Sequence, residues 1–210
     1  MGYVDTMTSD EAPVIGRSGS YAKGVARRRE ILDRAIEVFT ERGADGTSLR
    51  RIAQALGVSH AALLHYFDSR EQLLVAVYEH AEARRDEANA QHRPALATDV
   101  MVRAAVQNVE VPGLVQLYST LVAASLEADS TASKAFFTHR FEAVRAALTE
   151  DLARDQAAGL VRDDVDPARI AALIVAASDG LQIQWLLEPS IDLQETLRSF
   201  TTLLAPPQPS

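Results

Sequence analysis

The residues best suited to chemistry lie close together between Leu49 and Arg70, in the string LRRIAQALGVSHAALLHYFDSR. Arg50 and Arg51 precede an apolar set, Ile52, Leu56, Val58 and Leu63, that can fill a small core between two crossing helices. Ala53 is small where the second helix must come close, and Gly57 permits the left-handed backbone of a tight turn. Ser59 can cap the next helix. These are the parts of a helix-turn-helix, whose second helix enters the DNA major groove with its first residues against base edges. Ser59, His60, Ala61 and Ala62 open that helix. The alanines offer methyl contacts of the kind thymine accepts. His60 can donate to a guanine or a phosphate, and His65 can reach the backbone or a base. Thr47 can present a hydroxyl and amides to a phosphate. Arg50, Arg51 and Arg70 are further phosphate ligands, and Tyr66 adds a phenol. Lys23 with Arg27, Arg28 and Arg29 can form a basic arm on the backbone or in the minor groove. The expected partner is double-stranded DNA.

Other chemistries find little support. The chain has no cysteine, so thiolate metal sites, disulfides and cysteine nucleophiles are excluded. Its histidines, at 60, 65, 80, 92 and 139, never fall three or four residues apart, so no metal site is expected. Gly16-Arg17-Ser18-Gly19 follows no strand and lacks a Lys-Ser ending, which argues against a phosphate loop. Nothing arranges serine, histidine and acid as a hydrolase elbow. Neither a cofactor nor an enzymatic activity is expected.

The elements that must position the recognition residues are all helical. Spacings of three and four mark helices near 25–42, 47–56, 59–67, 69–91, 97–108, 113–127, 131–158, 167–187 and 192–204. Glycine, proline and Ser/Thr/Asp caps punctuate them, and no stretch alternates with period two. The expectation is an all-α fold in which a three-helix head joins a longer helical body. Residues 1–20 read as a disordered lead, 21–68 as the DNA-binding head, 69–205 as the body and 206–210 as a frayed tail. A length of 210 residues is enough for a sizeable core, burying about 70% of the chain's surface. No apolar run approaches the ~20 residues of a membrane span, and acids stand where a signal peptide would start with bases. A cytoplasmic protein without a membrane partner is expected. The net charge of −8 is unevenly spread. Residues 17–70 hold ten Lys/Arg against six Asp/Glu, whereas residues 71–210 hold eleven against twenty. A basic module on an acidic body suits a nucleic-acid binder better than the whole-chain balance suggests.

The string Thr47-x4-IAQALGVSHAALLHYFDSREQLL, with ILDRAIEVFTERG before it, closely resembles the N-terminal domain of the tetracycline-repressor family of transcription regulators. The resemblance covers about residues 25–75. One departure is Leu64, where the family often carries a phosphate-contacting tyrosine. The resemblance implies a homodimer on a palindromic operator, released by a small-molecule effector. The stretch DPARIAALIVAASDGLQIQWLLEP looks like the penultimate helix of the choline-responsive branch. On that basis Ile174, Ala177, Leu181, Leu193, Leu197, Phe200 and Leu204 are expected at the dimer seam. Tyr78, Met101, Tyr118, Phe136, Phe137, Phe141 and Trp185, with Gln182, His139 and Arg140 as polar anchors, are expected around the effector. The long fourth helix is expected to act as the lever between pocket and head. An effector-free architectural or division-control DNA-binding protein is the alternative function, and an all-helical enzyme or carrier a third.

Overall fold

The computed structural model describes residues 18–42, 49–90, 96–127 and 131–207. Among them are nine helices and no strand: α1 (Ser18–Arg42), α2 (Leu49–Ala55), α3 (His60–Tyr66), α4 (Arg70–Asn89), α5 (Ala97–Glu110), α6 (Pro112–Ala124), α7 (Thr131–Ala157), α8 (Pro167–Leu187) and α9 (Leu193–Leu203).

Capping chemistry sets most of the boundaries. Gly57 adopts φ +64° after α2. The Val58 amide reaches the Ala53 carbonyl at 2.9 Å and the Gly57 amide reaches that of Gln54 at 3.2 Å. That pair of bonds is the Schellman arrangement, which needs a left-handed residue at its centre. The Ser59 hydroxyl accepts from the Ala62 amide, and Ser69 accepts from Gln72, both at 3.0 Å. Asp166 and Asp192 cap α8 and α9 in the same way. The start of α5 has no cap of its own; the buried Asp155 of α7 accepts from the Ala97 amide at 2.7 Å instead. One boundary departs from expectation. The first helix begins at Ser18, inside the stretch read as a disordered lead. Periodicity reports a buried face, and the described residues of this early part, Lys23 to Ala26, are largely exposed, so they carry no stripe.

The head core is continuous with the body. Phe39 of α1, Ile52 of α2, Leu63 of α3 and Phe67 pack in one cluster with Leu73 and Val77 of α4 and Leu117 of α6. Each such side chain contributes about 1.5–3 kcal/mol on burial, so one core joins the head helices to α4 and α6. Two smaller clusters join α5, α6, α7, α8 and α9. Contrary to expectation, α8 is long and apolar enough to cross a membrane by length and composition, yet it packs on α7 and α9. Only 28% of its apolar window is buried within this chain.

Candidate nucleic-acid interface and effector cavity

The recognition helix divides cleanly into two faces. Leu63 is fully buried, and the half-buried Ala62 and Tyr66 stand on the same side. His60, Ala61, Leu64 and His65 are exposed. Ser59 is exposed, but its oxygen already serves the cap. Thus Ser59, His60, Ala61 and His65 stand where they could meet DNA, whereas Ala62 is half-buried and Tyr66 packs on the head core, edge-on to His65 at 5.4 Å. Arg50, Arg51 and Arg70 are exposed around the helix. Lys23 is exposed, Arg27 pairs with Glu30 at 2.6 Å, and the Arg28 guanidinium lies 4.9 Å from the Phe67 ring centre. Surface pairs of this kind are worth little, so a phosphate can replace Glu30. Thr47 lies outside the described residues.

A groove of about 490 Å³ opens between α4, α5 and α7. Behind it lies a chamber of about 90 Å³ against α6 and α8. Arg85, Met101, Ala104, Arg140 and Val144 line both, so they form the partition between them. Arg140 of α7 is gripped by Glu82 of α4 through two nitrogens at 2.7 Å. Its guanidinium lies 5.0 Å from the Tyr118 ring centre and 5.7 Å from that of Tyr78. The Tyr78 hydroxyl donates to Glu82 at 3.2 Å and that of Tyr118 to Asp179 at 3.0 Å. A second chain runs from Arg85 to Asn108 to Gln182 to Ser178. Burial raises the Asp179 carboxyl above its ordinary range, although the Tyr118 hydroxyl and Arg140 pull the other way. Burial, then the Glu82 charge, does the same to Asp86. Both phenols are pushed up by burial first.

The structure therefore gathers Tyr78, Met101, Tyr118, Arg140 and Gln182 at the inner chamber. It does not bring Trp185 or Phe141 there. Trp185 packs with Val102, Val115, Leu193 and Leu197 between α5, α6, α8 and α9. Phe141 packs against two core clusters without lining either cavity. Phe136 and Phe137 pack largely edge-on against the tyrosines and each other, and His139 is exposed. Sequence reasoning missed Glu82, Arg85, Asn108 and Asp179. Only Asp179 carried a signal, as a lone acid inside the apolar stretch of α8.

Most of the residues expected at the dimer seam pack within the chain's own core. Ile174, Leu193, Leu197 and Leu204 are buried in the chain's own core, and Leu181 and Phe200 pack against it. Ala177 is half-buried. The outward face of α8 instead presents Leu173, Ala176, Gly180, Ile183 and Leu187, with Leu203 on α9. A helix carrying adjacent apolar residues can turn either one outward, and packing of α8 on α7 and α9 decided it.

Among the described residues, polar bonds also tie α4 to α1 and to α7. Asp33 of α1 accepts from Arg84 at 3.1 Å and meets His80 Nε2 at 2.8 Å, both on α4. Glu71, in the first turn of α4, accepts from the Ser133 amide and hydroxyl of α7 at 2.9 and 2.5 Å. The helix that grips Arg140 thus also bonds α1 and α7, and it begins at Arg70, shortly after α3 ends at Tyr66.

A solvent-facing helix-turn-helix held on a cavity-bearing helical body defines the chain as a DNA-binding transcriptional regulator. The model for bacterial regulatory proteins of the tetR family matches residues 31–77. The model for the BetI-type transcriptional repressor C-terminal region matches residues 128–205. The chain belongs to the tetR family. It is 31% identical over 159 residues to the HTH-type transcriptional repressor Rv1474c of Mycobacterium tuberculosis, covering 74% of this chain and 80% of that protein. Its fold resembles a TetR transcription regulator from Haloarcula marismortui, with TM-score 0.70, 19% identity and coverage of 85% and 96%. It also resembles a regulator from Saccharomonospora viridis solved in complex with choline, with TM-score 0.65, 20% identity and coverage of 85% and 94%.

Proposed function

We propose that this chain is a cytoplasmic repressor that binds a palindromic operator as a homodimer and leaves it when a small molecule occupies the α4–α5–α7 cavity. The observation that carries this reading is the single uninterrupted helix α4. It starts at its Ser69 cap directly after α3 and reaches Glu82, which holds Arg140 at the cavity wall. Its 20 residues span about 30 Å. An effector that takes contacts from Arg140 changes how α7 holds α4, and the Glu71–Ser133 bonds carry that change to the base of the recognition helix. Adjacent half-sites lie about 34–36 Å apart on one DNA face, so both heads must keep their separation to dock together.

The exposed stripe on α8 supports the dimer. Leu173, Ala176, Gly180, Ile183 and Leu187 recur at three- and four-residue intervals, and a side chain added at Gly180 would meet open space in the single chain. Such a stripe suits a partner helix. Light scattering at micromolar concentration should give twice the chain mass, and Ile183→Asp should give a monomer with sharply weaker operator binding. The regulatory reading is tested by titrating small molecules into an operator complex. Release requires a coupling of about 1–3 kcal/mol or more, and by linkage the operator must weaken effector binding by the same factor. Release of DNA by no compound that binds the chain would reject the effector reading and leave a constitutive DNA-binding protein.

A further inference from the structure

The exposed face of α3 has an unusual order. At about 100° per residue, His60, Leu64, Ala61 and His65 occupy one continuous arc of about 140°. Leu64 and Ala61 stand at its centre and the two histidines at its edges. The opposite arc is taken by Ala62, Leu63 and Tyr66, which the head core covers fully or in part. The helix contains no Lys, Arg, Asp or Glu. Its charged neighbours, Arg50, Arg51 and Arg70, all lie outside it. The middle of the reading surface is therefore apolar, and Leu64 leaves 41% of its area in solvent although the head core lies one residue away.

A large apolar side chain at the centre of a groove-facing helix needs an apolar counterpart. The major groove offers one on an unmodified base, the C5 methyl of thymine. Leucine lacks the hydroxyl with which the tyrosine often found at this position of the family meets a phosphate, so an apolar partner is what remains to it. We infer that Leu64, with Ala61 beside it, reads a thymine methyl in each operator half-site and so sets sequence preference. The histidines then bracket that contact with polar groups. This inference rests on α3 being the groove-facing helix, and it assigns a specificity role to a residue that makes no polar contact at all.

The test uses the full-length protein and an operator obtained by in vitro selection from random duplexes. Each thymine of the half-site is replaced singly by uracil, which removes only the methyl. At one thymine, or two adjacent ones, the wild type should bind about fourfold more weakly per half-site, the equilibrium weight of one buried methyl. Leu64→Ala should lose a similar factor on the thymine operator and become indifferent to uracil at that position alone. Leu64→Ile should keep the discrimination, which separates a lost contact from a damaged fold. Indifference of the wild type to uracil at every position overturns the inference. So does a Leu64→Ala variant that keeps the full uracil penalty, or one that weakens thymine and uracil operators equally. Failure of the selection to enrich any sequence would reject the DNA-reading function itself, a different outcome from specific binding without methyl sensitivity.

Discussion

The recognition face of α3 and the cavity beside α4 solve opposite problems. On α3 the groups that would meet a ligand are exposed, His60, Ala61, Leu64 and His65 among them. Arg27 holds Glu30 in an exposed pair of the kind that water and salt weaken. Around the cavity the polar groups are already committed to one another: Arg140 to Glu82, Tyr118 to Asp179, Arg85 through Asn108 to Gln182. DNA can therefore dock on the head with little rearrangement, whereas a ligand in the body must exchange existing contacts for its own. A receptor whose ligand must break an internal network is one in which binding moves the structure. The two regions share one core, which is how a change in the second can reach the first.

Salt separates them most widely. If six to ten phosphates are neutralised per dimer, operator affinity should fall by about 10³–10⁵ between 50 and 200 mM salt. Effector affinity over the same range should change by no more than about threefold, because partly buried pairs are screened much less than surface charges. Fluorescence anisotropy for DNA and calorimetry for the ligand measure the two slopes. Comparable slopes would mean that the cavity charges are not internally paired.

Truncating one charge in each region gives the next largest contrast. Arg50→Ala should weaken operator binding by a similar factor across sequences and leave the melting temperature within about 1 °C, as expected for an exposed side chain. Glu82→Gln should do the reverse. It strips a half-buried guanidinium, with side-chain exposure of 21%, of its anionic partner. Removing one member of a fully buried pair costs about 3–5 kcal/mol; with this much solvent, about 1–3 kcal/mol is expected. That corresponds to roughly 2–12 °C for a chain of this size. Pairing Glu82→Met with Arg140→Met should recover most of the loss, since an apolar replacement of both charges removes the desolvation problem. A double variant as unstable as Glu82→Gln would show that packing, not charge, holds α4 to α7.

The same contrast explains what could be read from the residues alone. Helix ends were legible because Ser59, Ser69, Asp166 and Asp192 cap through local bonds. The helix-turn-helix was legible because its core, its turn glycine and its cap fall within 19 residues, from Leu49 to Phe67. Cavity aromatics were partly legible: Tyr78 and Tyr118 meet at 5.3 Å, but Trp185 has the same composition signal and serves only the core. Glu82 and Asn108 were not legible, since a polar residue on an amphipathic helix reads as solvated until another helix is laid against it. Which apolar residues of α8 face outward was not legible for the related reason that Leu173 and Ile174 are adjacent and equally apolar, and only the packing of α8 turned one outward.

The smallest expected effect concerns Asp179 and the sign of its pH dependence. Burial raises its folded pKa above the unfolded value of an aspartate, and the Tyr118 bond and Arg140 do not cancel that cost. Between the unfolded and folded values the native state holds a proton that the unfolded chain has released. Stability from this group therefore falls as pH rises through that window, and the cost is constant above it. Asp86 has the same sign for the same first cause. Asparagine keeps an oxygen to accept from Tyr118 and carries no charge to desolvate. Asp179→Asn should thus be more stable than wild type at pH 7.5, by less than the Glu82→Gln loss. The gain should shrink toward zero as the pH is lowered below the ordinary aspartate range. Paired urea unfolding curves from pH 3.5 to 8 measure the difference, in which unrelated titrations cancel. An Asp179→Asn variant less stable at pH 7.5, or one whose gain persists in acid, would show that Asp179 is not held against its own solvation. The cavity would then lack the built-in cost that distinguishes it from the head.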